Sequence, residues 1–219
     1  MKIVPSETTL VVAGAWNAAI LTPDWVIRHG LKRVPEQRDG TAVQVLIPAG
    51  PFGVLEAPRF SLEGFSFTAR SDALVLLPDA TDDVSLRRVE ELAANILTTL
   101  NHTPIAGIGH NFEFISDDPD RQWPEAFNSS QIDLIDASPS DWEAYRTVLA
   151  TQFKCDQIQV NVQRYAEGPK IGIKFNFHHP VSSADKGREV LTGIGYRSFW
   201  DNFKIAEQLV SRLFGETKP

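Results

Sequence analysis

Residues 157–177 constrain the fold of this chain more than any other stretch. From 157 to 165 polar and apolar residues alternate without a miss, with Ile158, Val160 and Val162 in one register and Gln157, Gln159, Asn161 and Gln163 in the other. A period of two belongs to a strand, because successive side chains leave a pleated chain on opposite sides. Such a strand has one buried face, and a slip of one residue would turn its apolar set to solvent. After Glu167 and Gly168, the alternation resumes with Ile171, Ile173, Phe175 and Phe177 set against Gly172, Lys174 and Asn176. Two alternating runs around a glycine turn form a β-hairpin.

Further strands follow from the same reasoning. Residues 8–13 are β-branched and apolar, 41–47 carry Val43, Val45 and Ile47, and 60–70 carry Phe65 and Phe67 before Ser71 and Asp72 turn the chain into 73–77. Residues 105–115 set Ile108, Phe112 and Phe114 against Asn111 and Glu113. Residues 132–135 and 145–154 complete the strand set. Helical spacing appears at 83–100, where Val84, Val89, Leu92, Ile96 and Leu100 share a face, and at 197–214, with Phe199, Phe203, Ala206, Leu209 and Leu213. A short helix is expected over 23–29, because Thr22, Pro23 and Asp24 supply a cap, a first-turn proline and a dipole-matching acid before Gly30. The Ser-, Asp-, Lys- and Gly-rich stretch after His178-His179-Pro180 reads as a mobile segment, and 215–219 as a fraying tail.

These elements predict the α+β class, an antiparallel sheet with long amphipathic helices on one face. Three strands followed by a helix occur at 41–100 and again at 145–214, an order that fits a degenerate duplication of a βββα unit and equally fits convergence. The expectation is a single domain over 1–219, whose pseudo-repeat halves 1–115 and 131–219 are linked by the aperiodic loop 116–130.

Composition narrows the function classes. The formal net charge is −7 and no run of Lys or Arg concentrates the opposite sign, so nucleic acid is not an expected partner. Cys155 is the single cysteine, which excludes an intramolecular disulfide and a Cys-rich zinc site and points to a reducing, cytoplasmic setting. Residues 1–7 lack an apolar core of signal-peptide length, and no apolar run approaches the roughly 20 residues a membrane helix needs. No membrane association and no cofactor are expected. Gly107 and Gly109 lack both the third glycine and the following helix of a dinucleotide loop.

Four groups of residues are candidates for a site. His110 and Glu113 pair an imidazole with a carboxylate beside two glycines, although on a strand residues three apart face opposite ways. His178 and His179 could join Asp117, Asp118 and Asp120 around a divalent ion, yet adjacent residues of a strand also diverge. Trp16, Asn17 and Trp25 bracket a strand-to-helix junction of the kind that can form a pocket, or else simply pack and satisfy a turn. Gln157, Gln159, Asn161 and Gln163, extended across the hairpin by Lys174 and Asn176, make a polar face almost without charge. Amides tolerate burial better than Lys or Glu, so this face is a candidate contact surface. Two readings follow. The favoured one is a non-enzymatic binding or assembly protein that presents its sheet to a second copy or to another protein. The alternative is a small hydrolase or metal-assisted enzyme with a site assembled from dispersed His and acidic residues.

Overall fold

The computed structural model describes residues 1–33, 43–48, 57–117, 145–155 and 157–214. Among the described residues, ten strands lie in one antiparallel sheet: β1 (Lys2–Ile3), β2 (Thr9–Gly14), β3 (Gln44–Leu46), β4 (Arg59–Leu62), β5 (Phe65–Ala69), β6 (Ala73–Pro78), β7 (Ile105–Ser116), β8 (Arg146–Cys155), β9 (Ile158–Glu167) and β10 (Lys170–Pro180). Their order is β3-β4-β5-β6-β2-β7-β10-β9-β8, with β1 also paired to β7. The class is therefore α+β with an antiparallel sheet.

The order mirrors itself about the β2–β7 pair. On one side β3 to β6 meander inward to β2, and on the other β8 to β10 meander inward to β7. α2 (Asp83–Thr99) follows the first meander, and α3 (Ala184–Leu191) and α4 (Phe199–Phe214) follow the second. β1 meets the C-terminal end of β7 through Lys2 and Ile115, while β2 meets its middle through Thr9 and Asn111. A 3-10 turn over Pro5–Glu7 takes up the register difference between the two.

One core joins both sides of the mirror. It runs from Leu10 and Val12 on β2 through Leu86, Val89 and Ile96 on α2 to Phe112, Phe175 and Phe177 on β7 and β10, and on to Phe199 and Phe203 on α4. The Phe112 ring packs 5.2 Å from Phe199 and 5.5 Å from Phe203, which seats α4 on β7. Burial of these aromatic and aliphatic side chains at roughly 25 cal/mol per Å2 is the main force holding helices to sheet. The described helices all pack on this face.

The helices depart from expectation. Long helices were expected, but the longest of the described helices, α2 and α4, have only 17 and 16 residues. α1 (Pro23–Trp25) is a single turn, capped by Thr22 and continued by a π-helical stretch, Val26–Gly30. α3 occupies the stretch expected to be mobile. Its Ser183 side chain caps the Lys186 amide at 3.2 Å, and Gly187 lets it close onto α2 and β7, since a Cβ there would lie 3.0 Å from Leu97 and 3.6 Å from Ile108. The run 60–70 is not one strand: Gly64, at φ +88°, turns the chain between β4 and β5. Residues 41–42, the strand expected at 132–135 and the tail 215–219 lie outside the described residues, as does all of the loop 116–130 beyond Asp117.

Candidate functional site

Because β7 alternates, it sends Ile108, His110, Phe112 and Phe114 to the helices and leaves Gly107, Gly109, Asn111 and Glu113 on the opposite face. Its register with β2, β10 and β9 aligns Thr9, Asn111, Asn176 and Asn161 in one row across four strands. The row is hydrogen-bonded from end to end. Asn161 Nδ2 donates to Asn176 Oδ1 at 3.2 Å, Asn176 Nδ2 to Asn111 Oδ1 at 2.6 Å, and Asn111 Nδ2 to Thr9 Oγ1 at 3.0 Å. Each bond is worth about 0.5–1.5 kcal/mol net, and together they hold the amides in fixed orientations.

Beside this row runs a second one. Glu113 on β7 faces Lys174 on β10, whose ammonium lies 3.0 Å from Glu113 Oε2 and 3.8 Å from Glu7 Oε2. The Tyr165 hydroxyl donates to Glu113 Oε1. Burial first, and then the bond to Glu113, raise the Tyr165 pKa above its ordinary value, so the phenol remains a donor. Between the rows lies a shallow cleft of about 280 Å3 lined by Thr9, Asn111, Glu113, Asn161, Gln163 and Lys174, among others. Three glycines make room on this face: Tyr165 lies over Gly172, His178 over Gly107, and the Asn176 amide against Gly109.

Gln159, Asn161, Gln163, Lys174 and Asn176 thus share a surface with Thr9, Asn111 and Glu113, and Gln159 and Gln163 are exposed. Gln157 stands apart, since it precedes β9 and lines a different cleft with Tyr196 and Arg197.

His110 and Glu113 are on opposite faces and do not form a dyad. His110 joins His179, and behind the sheet the two rings stand 5.1 Å apart, each fully buried. Asn202 of α4 lies between them, its Nδ2 at 2.9 Å from His110 Nδ1 and 3.4 Å from His179 Nε2. Glu90 of α2 accepts from the Phe199 amide at 2.7 Å, capping α4, and its Oε1 is 4.0 Å from His110 Nε2. That gap is too long for a hydrogen bond. His110 Nε2, His179 Nδ1 and Asn202 Oδ1 are buried without a hydrogen-bond partner among the described residues.

Burial sets the charge of this cluster. Desolvation, followed by the repulsion of His179, holds His110 well below the usual imidazole value. Desolvation, helped by the neighbouring charges of His178 and Arg197, lowers His179 to about 4. Desolvation pushes Glu90 up to about 8 against the opposing bond from Phe199. All three groups are neutral near pH 7. Glu90 also lines a cleft of about 560 Å3 with Lys32, Arg87, Glu91, Asn95 and Ser198.

His178 and His179 diverge across β10, and Asp117 sits beside Lys170 at the opposite end of that strand from His178, at 3.7 Å from the Lys170 ammonium. Asp118 and Asp120 lie outside the described residues, and no group of three or more His, Cys, Asp or Glu among the described residues is placed to hold a metal ion. Trp16 is buried and donates from its ring to the Val12 carbonyl at 2.9 Å. Asn17 accepts from the Ala19 amide in an exposed turn, and the Trp25 ring packs against His29, tilted by 34° with centroids 4.6 Å apart.

Reading the sequence by element did not single out Glu90, Asn202, Tyr165, Thr9 or Glu7. For two of them a signal was present. Glu90 falls on the buried stripe of α2 with Leu86, Ala93 and Leu97, and Asn202 on that of α4 with Phe199, Phe203 and Ala206. A polar residue on an apolar stripe marks a buried polar contact. No described helix is long and apolar enough to cross a membrane. No family model and no curated protein sequence matches the chain.

Proposed function

We propose that this protein is a docking or assembly module that receives a polypeptide on the amide face of its sheet. The observation that carries the reading is the row Thr9–Asn111–Asn176–Asn161, held in fixed orientation on a face that none of the described helices covers. Side-chain amides offer both donors and acceptors, the same complement as a peptide main chain. Lys174 is shared by Glu113 at 3.0 Å and Glu7 at 3.8 Å, so this edge of the surface carries one net negative charge, which disfavours a phosphate-rich partner. In the same reading the mirrored strand order reflects a duplicated unit, with the break between α2 and β7 at residues 100–104 and not in the loop 116–130.

The test replaces Asn161, at the outer end of the row, with Lys, and Gln159, exposed beside it on the same face of β9, with Glu. Quantitative affinity capture should show a partner, or a second copy, retained in stoichiometric amount by the wild type and lost from the double variant, which stays folded and is destabilised by no more than the loss of one amide bond, about 0.5–1.5 kcal/mol. Equal retention by both proteins, each folded, would sink the reading.

A second reading is acid–base chemistry at the 560 Å3 cleft. It is favoured by one observation, that Glu90 both lines that cleft and stands 4.0 Å from the buried His110. In this reading Glu90 is a neutral general acid poised near pH 7. A panel of ester and amide substrates tests it: turnover present in the wild type and in Asn161→Lys but absent in Glu90→Gln supports it, and no turnover by the wild type counts against it.

A further inference from the structure

β8 ends the sheet with ten residues, and among the described residues its outer side has no strand beside it. At the mirrored position β4 is covered by β3, so a further strand fits the geometry of the sheet next to β8. An open edge presents a row of unpaired amides and carbonyls, which proteins blunt with proline, charge or shortness. β8 has none of these along its middle. It contains no proline, and its basic residues Arg146 and Lys154 stand near its two ends, leaving 147–153 uncharged. Val148 is 46% exposed and Phe153 54%.

We propose that β8 pairs antiparallel with β8 of a second copy of this chain, about a two-fold axis passing through Thr151. In one continuous sheet the two copies share faces, so only residues of like parity oppose each other. Centring on Thr151 sets Leu149 against the partner's Phe153, and Phe153 against the partner's Leu149, on either side of a Thr151–Thr151 pair. On the amide face it sets Val148 against the partner's Lys154 and Ala150 against the partner's Gln152. Centring one residue earlier, on Ala150, opposes Arg146 to the partner's Lys154, a like-charge pair that is disfavoured. Centring one residue later, on Gln152, separates Leu149 from Phe153 and shortens the overlap. Thr151 is thus the register that covers the exposed apolar side chains without opposing like charges.

A single edge contact lies at the low end of specific interface sizes, so the pairing is a concentration-dependent equilibrium and not an obligate dimer. It places both amide faces on the same side of one sheet. In that respect it deepens the docking reading by doubling its surface, but it uses the strand edge and not the face.

The test is made on the full-length protein. Native mass spectrometry over a concentration series should show monomer and dimer for the wild type. Thr151→Lys, which opposes two ammonium groups on the axis, should raise the dissociation constant by up to about fivefold. In a Cys155→Ser background, Thr151→Cys should form a disulfide-linked dimer under mild oxidation. This second variant is conservative and decides the matter if Thr151→Lys does not fold. A wild type that stays monomeric and a Thr151→Cys protein that does not cross-link would overturn the proposal, as would a dimer that persists unchanged in folded Thr151→Lys. Loss of partner capture in the Gln159→Glu/Asn161→Lys protein with dimerisation intact would leave the docking reading standing separately.

Discussion

The Tyr165 ring lies across Gly172, and its hydroxyl donates to the Glu113 carboxylate, so that β9 is tied to β7 over the top of β10. The reach exists because position 172 has no side chain: a Cβ there would stand 2.1 Å from Tyr165 Cζ. Gly172→Ala should displace the ring and break the bond, costing about 1–3 kcal/mol. Tyr165→Phe should cost about 1 kcal/mol, since Glu113 keeps Lys174 as a partner. Urea denaturation of both single variants and the double checks the mechanism. The double variant should be less destabilised than the sum, because each single change already removes the same bond.

Asn176 stands at the centre of the amide row and makes two of its bonds, whereas Asn161 makes one. Asn176→Ala is therefore expected to lower stability by about 1–3 kcal/mol and Asn161→Ala by about 0.5–1.5 kcal/mol. Equal effects in denaturant titrations would mean that the bonds of the row are not individually formed in solution.

The buried cluster predicts a pH profile. His110 and His179 are lowered on folding, the latter to about 4, so below the unfolded value of about 6.5 the unfolded chain takes up protons that the folded chain refuses. Stability is then lost as pH falls, by up to about 1.4 kcal/mol per pH unit for each histidine. Glu90 runs the other way. Its folded pKa is raised to about 8, so its contribution is present below the unfolded carboxyl value and is lost as pH rises through about 8. Two histidines outweigh one carboxyl below about 6.5, and above it only Glu90 still titrates, so this cluster places an optimum near pH 6.5. Glu90→Gln keeps an oxygen to accept from the Phe199 amide and should flatten the limb between about pH 6.5 and 8 while steepening the acid limb, where Glu90 no longer offsets the two histidines. Chemical denaturation at several pH values reads both limbs, and an unchanged alkaline limb in Glu90→Gln would refute the assignment.

Gly187 is the point of closest approach of α3 to Leu97 and Ile108. Gly187→Ala gains about 1 kcal/mol of helix propensity against a tight 3.0 Å contact with the end of the Leu97 side chain, so its net effect should be small. Gly187→Val adds branches that the contact cannot hold and should lower stability by about 2 kcal/mol or more. Thermal melts of the two variants distinguish a packing role from simple tolerance.

Much of this protein is written locally. The alternation in β9, β10 and β7 follows from which residues are apolar, and with it the separation of His110 from Glu113 and of His178 from His179, because a strand sends neighbours to opposite faces whatever surrounds it. The middles of the α2 and α4 stripes are equally local, but Val84 and Leu213, expected on them, are exposed near the helix ends, and Glu90, expected off the α2 stripe, is buried on it. α3 was hidden because Gly187 and four charged residues read as a breaker and a solvated loop, and only the surface offered by Leu97 and Ile108 makes a glycine the right residue there. Strand order is the part that no local pattern specifies. It sets Thr9 beside Asn111, 102 residues away, and Glu90 of α2 against the amide of Phe199, 109 residues on. Which face is polar was therefore determined by the sequence of each strand. Which polar groups meet on it, and which are sealed behind it, was decided by tertiary structure alone, because a hydrogen bond needs its partner within about 3 Å and that distance is set by long-range register.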